Sequence, residues 1–207
     1  MFPTMTTPAM TAASIRRARR RYLTGSAGDL FYRAALFLIA ASRSPKHELD
    51  LAESLAVLLQ TWNLQFYRFR GGFKEADFQA IRALLKNHGD ELERLKARKL
   101  DSLRENEKVG LGNLFHDFEM VLWPVGAAKA LHLLAPNLFP LWDQTIANKA
   151  YGIRLKRIGL NADNYLQLMT MTAGQVRALG GWDAIGGNPL KAIDEFNYAV
   201  HTRGWII

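Results

Sequence analysis

ELDLAESLAVLLQTWNLQFYRF, residues 48–69, decides the fold class. Its apolar residues Leu49, Ala52, Leu55, Ala56, Leu58, Leu59, Trp62 and Phe66 recur at i, i+3, i+4 spacing, which gathers them on one face of a helix. Gly71-Gly72 breaks the pattern. Outward from this stretch the same period continues, and no segment alternates convincingly at period two. The expected fold is therefore all-α.

Toward the N-terminus, a helix is expected over Leu30–Ala41 with Asp29 as its cap and Ser44-Pro45 at its end. Before it lies an Arg-rich helix over Ala12–Leu23, and residues 1–13 read as a flexible N-terminus. Toward the C-terminus, Lys74–Leu103 is helix-forming, and Glu91–Lys108 is dense in charges of both signs, as on a solvated face held by i, i+4 pairs. Gly110 and Gly112 mark a turn, and Asn113–Leu122 a short helix. Trp123-Pro124-Val125-Gly126 forms a tight corner before a helix over Ala127–Leu134. Asp143 caps the next helix, which Gly152 stops. A further helix starts near Asn161 or Asp163, with a break near Gly174. The last has Asn188 as cap, Pro189 in its first turn and Gly204 at its end. The reading is a compact multi-helix domain over 14–207, as one body or two helical lobes, with a helix-hairpin-helix-like element at 113–134.

Composition narrows the function. The chain has 207 residues, 49% hydrophobic, enough for a substantial core. It has no cysteine, which excludes disulfides, thiolate metal sites and a cysteine nucleophile. No apolar run approaches the roughly 20 residues of a membrane span. The N-terminus lacks a secretory pattern, and its Arg-rich, acid-poor start only superficially resembles a transit peptide. A cytoplasmic location is expected, nucleoid-associated in a prokaryote. A formal charge of +8 favours an anionic partner, with double-stranded DNA first among them and no membrane. Arg16, Arg17 and Arg20 belong to a cluster suited to phosphate neutralisation, or equally to a solvated helix end.

Chemistry concentrates in residues 123–152. A tight corner between helices presents backbone N–H groups to a phosphate, here from Pro124, Val125 and Gly126 in their turn. Lys129 stands early on the following helix, where desolvation would make its amine a nucleophile. Asp143 opens the next helix, where a carboxylate can stabilise positive charge on a sugar or position a water.

This segment resembles the helix-hairpin-helix superfamily of base-excision DNA glycosylases. The proline-to-lysine spacing of Pro124 to Lys129 is kept, and Asp143 follows the apolar Pro140-Leu141-Trp142, where the family has its aspartate. Val125 stands at the first hairpin glycine. The Lys129-to-Asp143 gap is shorter than the family pattern. The resemblance implies Lys129 as nucleophile, able to form a Schiff base, and Asp143 as catalytic carboxylate. It implies action on a flipped base and no cofactor; the absence of cysteine sets the iron–sulfur branch aside.

Candidate base contacts are Trp62, Asn63, Tyr67, His132 and Trp142, which supply ring faces and hydrogen-bonding groups. The aromatic ones suit a core equally well. His116-Asp117 makes a poor direct dyad, because neighbours on a helix point roughly 100° apart. The histidines never pair at ligand spacing, so no metal site is expected. The alternatives are a non-catalytic nucleic-acid-binding helical module and a helical protein-interaction module.

Overall fold

The computed structural model describes residues 8–25, 28–43, 50–62, 67 and 71–205, with the Trp62 side chain left out. The expectations for residues 1–7, Ser44-Pro45, Asn63 and Phe66 lie outside the described residues. Among the described residues the chain forms eight α-helices and no strand. They are α1 (Ala12–Gly25), α2 (Gly28–Ser42), α3 (Leu51–Trp62), α4 (Glu75–Lys96), α5 (Lys108–Leu134), α6 (Gln144–Tyr151), α7 (Ala162–Ala178) and α8 (Pro189–Asn197). Two 3-10 turns, Leu100–Ser102 and Glu105–Glu107, link α4 to α5, and a π turn, Tyr198–Thr202, extends α8. Among the described residues no helix is long and apolar enough to cross a membrane.

Helix α5 is the axis of the fold and packs against α2, α3, α4 and α7. Phe115, Phe118, Leu122, Ala127, Ala130, Leu131 and Leu134 are buried along it, within one contiguous hydrophobic cluster that reaches from Ile15 to Ala199. Helix α1 lies on α8, and α2 lies on α3. Glu119 is buried in mid-helix and is met by Asn161, whose backbone N–H donates at 3.3 Å and whose side-chain amide donates at 2.5 Å. Asn161 is thereby fixed as the start of α7.

The structure corrects several boundaries. Gly110 and Gly112 lie inside α5 rather than in a turn. Gly112 is there for contact: a Cβ at that position would stand 3.1 Å from Leu166 Cδ1 of α7. Helix α7 runs through Gly174 without a break. Residues 11–13 are not loose, because Thr11 and Ser14 cap α1 reciprocally, at 2.8 Å from Thr11 N–H to Ser14 Oγ and 3.1 Å in return. Charged pairs do hold the α4–α5 link, but Arg98–Glu107 at 2.6 Å joins turns rather than one continuous helix.

The corner appears as a sharp bend inside α5. Trp123 has φ 64° and ψ 164°, a region populated almost only by glycine. Pro124 explains why the helix cannot continue: it lacks an N–H and disfavours helical geometry in the residue before it. Trp123 is the one non-glycine residue with positive φ among the described residues. Trp123→Gly and Trp123→Ala lose the same indole contacts but differ in backbone freedom. The glycine variant is expected to be more stable by about 1 kcal/mol. Urea denaturation of the two measures the difference, and an alanine variant of equal stability would rule out strain at this bend.

Candidate active site

The connection from Ala135 to Asp143 is held by four hydrogen bonds from four parts of the chain. Asn188 Nδ2 donates to the Pro136 carbonyl at 2.8 Å, and Leu100 N–H to that of Asn137 at 2.9 Å. His132 Nδ1 donates to the Phe139 carbonyl at 2.7 Å, and the Tyr165 hydroxyl to that of Pro140 at 2.8 Å. Trp142 anchors the end, stacked with Phe115 and Tyr165 at centroid distances of 6.0 and 5.6 Å. Asp143 follows and caps α6, its Oδ1 accepting from Thr145 N–H at 2.8 Å and Ile146 N–H at 3.1 Å. Gly152, with φ 68°, ends that helix. Cap and stop stand where the sequence places them.

Lys129 comes from α5 just past the bend. Part of its side chain reaches the surface. Burial nevertheless pulls its ammonium from 10.5 down to about 8, against the carboxylates of Asp143 and Asp194, which favour the charged form. Lys129 and Asp143 therefore act on each other, as a shared site requires. Asp194 of α8 joins them: burial raises its carboxyl from 3.8 to about 6, although Lys191 and Lys129 both oppose the rise.

Behind this group lies an ion network on α1 and α8. Lys191 Nζ stands 3.0 Å from Glu195 Oε1 and 3.9 Å from Asp194 Oδ2. Burial works against the Lys191 charge, but Asp194 and Glu195 outweigh it and hold its pKa above the usual lysine value. Lys191 Nζ also sits over the rings of Tyr22 and Tyr32, at 4.7 and 5.2 Å. Arg19 Nε approaches Glu195 Oε2 at 3.7 Å. Asp194, Lys191, Glu195, Arg19 and Tyr32 were not selected from the sequence. Lys191, Asp194 and Glu195 are spaced i, i+3, i+4, but that spacing is shared by solvated helix faces, and only the tertiary fold buries it.

His132 is fully buried and is part of the frame rather than of an open surface. The Phe139 carbonyl can only accept, so Nδ1 carries the proton and Nε2 accepts from the Tyr32 hydroxyl at 3.0 Å. Burial lowers its pKa from 6.5 to about 4, despite the Phe139 bond. The histidine thus folds neutral, while the unfolded chain takes its proton near 6.5. Its share of stability is complete above 6.5 and is lost as the pH falls through about 4. His132→Asn is expected to remove acid sensitivity on the order of 3 kcal/mol across that window. Urea titrations at pH 7 and pH 4 test this, and equal acid loss in variant and wild type would contradict it.

The other expected site residues separate. Trp142 is 1% exposed, both its stacking partners are protein, and it offers no ring face to a base. Tyr67 is buried and stacks on Phe73 at 4.4 Å. These two correct the expectation of base contacts: core packing takes their rings. The corner is covered as well. Pro124 and Gly126 are buried and Val125 is half-buried. A Cβ at Gly126 would meet Leu122 Cβ and Tyr67 Oη, each at 3.3 Å, so the turn is packed rather than open to a phosphate. Trp123, 40% exposed, is what the bend presents outward. Arg16, Arg17 and Arg20 are exposed on α1, whose opposite face, Ile15, Ala18 and Tyr22, is buried. Their charges form one basic face and do not radiate around the helix. Asp117 pairs across helices with His88, at 3.0 Å from Nε2, rather than with His116.

Among the described residues, no group of three or more His, Asp or Glu could hold a metal ion. Comparisons with protein-family models, curated proteins and solved structures found no match to this chain.

Proposed function

We propose that this chain is a DNA base-excision glycosylase-like enzyme that uses the Lys129 amine on the sugar of an extruded nucleotide. The observation that carries the reading is the lysine held near 8 beside Asp143. An amine of that acidity is substantially unprotonated near neutral pH, as a nucleophile must be. Its lone pair would attack C1′ while the bonding pair of the glycosidic C–N bond leaves with the base. Asp143, fixed by the α6 cap, would offset the positive charge that develops on the sugar. The attached nitrogen then loses a proton, and Asp194, near 6, is a suitable acceptor within the same charged group. Ring opening would give a Schiff base. Exposed Arg16, Arg17 and Arg20 supply cations for backbone phosphates.

The test is borohydride reduction in the presence of duplexes carrying modified bases or an abasic site. A covalent protein–DNA adduct is expected. Absence of both adduct and base release across the set overturns the enzymatic reading.

One observation favours a second reading. The basic face of α1 is open, whereas the corner at Pro124–Gly126 is packed. A non-catalytic nucleic-acid-binding module would use that face alone. Salt-sensitive DNA binding that is lost on charge reversal of Arg16, Arg17 and Arg20, with no chemistry on any lesion, would select it.

A further inference from the structure

Between α1, α2 and α8 lies a cavity of about 550 Å³, within the size range of small-molecule sites. Its wall includes Glu195, whose side chain is 1% exposed. One carboxylate oxygen is held by Lys191 at 3.0 Å. The other, Oε2, is buried and accepts no hydrogen bond, since Arg19 Nε stands 3.7 Å away. A buried carboxylate oxygen without a donor is costly, and buried polar atoms in native proteins are nearly always satisfied. Here the unsatisfied atom belongs to a residue that lines the cavity, so a ligand N–H or O–H would complete it.

The rest of the wall limits that ligand. Arg19, Arg33 and Lys191 bring three cations against the one carboxylate of Glu195. A cationic ligand is disfavoured, and a ligand with both a donor and a negative charge is favoured. Leu23 and Leu30, 49% and 59% exposed, add apolar surface. Tyr32 is fixed in the wall by its bond to His132. Apolar walls, a buried acceptor and nearby guanidinium groups match a flat ring with an amino edge joined to a phosphate.

We infer that this cavity binds a free nucleoside 5′-monophosphate with an amino-bearing base, its amine donating to Glu195 Oε2 and its phosphate meeting Arg33 and Arg19. The inference rests on the cavity alone and not on the chemistry proposed for Lys129.

Isothermal titration of the full chain at low salt with AMP and CMP tests it. The comparison ligands are inorganic phosphate, adenosine and purine riboside 5′-monophosphate, which lacks the amine. Saturable binding of AMP or CMP is expected. For AMP, at least tenfold weakening is expected on removing the amine, on removing the phosphate and in Arg33→Ala, a substitution at an exposed position. Glu195→Gln should weaken AMP but not purine riboside 5′-monophosphate. Should that variant fail to fold, Arg33→Ala and the amine-free analogue still decide. Lys129→Ala should bind AMP as the wild type does, so the two proposals fail separately. The inference is overturned if neither nucleotide binds, if phosphate alone or the amine-free analogue binds as tightly as AMP, or if only oligonucleotides bind.

Discussion

Lys129→Ala is expected to abolish the borohydride-trapped adduct and to lower base release by about 10²–10⁴-fold, the range a positioned reacting group supplies. The variant should still fold. A lysine whose pKa falls from 10.5 to about 8 on folding opposes folding below pH 8, so its removal offsets the lost packing. Inactivity would then not be a symptom of unfolding, and circular dichroism with a thermal melt checks this. The pH profile adds a second readout. Activity in the wild type should rise tenfold per pH unit up to about 8 and level off above it, whereas an ordinary lysine would still be gaining at pH 10. Asp143→Asn sharpens the case. Asparagine is as good a helix cap as aspartate, so α6 keeps its start. The carboxylate that raises the Lys129 pKa is gone, so the midpoint should move below 8 while the maximal rate falls. A midpoint that stays in place, or full base release by Lys129→Ala, would remove the lysine from the mechanism.

Lys191→Met is expected to carry the largest stability cost, about 3–5 kcal/mol, with a melting temperature lower by on the order of 10 °C. The methionine fills similar space over Tyr22 and Tyr32, so packing alone does not account for such a loss. The cost comes from Glu195, 1% exposed, and Asp194, 20% exposed, left without their shared cation. Lys191→Met combined with Glu195→Gln should regain part of it, because the most deeply buried orphaned charge goes too. A loss under about 1 kcal/mol in the single variant, or no recovery in the double, would show that the network adds little. Urea denaturation curves of the four proteins settle it.

The fold was legible wherever one local signal was strong. The apolar period of Leu51–Trp62, the Asp143 cap with its Gly152 stop, and the Asn188-Pro189 start were each read correctly because each depends on neighbours in sequence. Gly110 and Gly112 misled because a glycine inside a helix can serve a distant partner, here Leu166. The candidate site divides the same way. Lys129 and Asp143 stood out by spacing from a proline and by position at a helix start. The acids and lysine of α8 did not, since burial of an i, i+4 charge pair is decided by what packs over it. Trp142 and Tyr67 were misplaced for a related reason: an aromatic ring at helical spacing suits core and binding surface alike, and only three-dimensional packing chooses.

In a straight α5, residues 115, 118, 122, 125 and 129 would fall on a single stripe, by the 3.6-residue turn. Phe115, Phe118 and Leu122 of that stripe are buried in hydrocarbon. The turn of the chain at Trp123 resets the angular phase, so the amine that follows meets carboxylates instead of phenyl rings. Unwinding of that one dihedral would rotate a cation into oil, which makes the stiffness of Trp123-Pro124 a guardian of the charge placed after it.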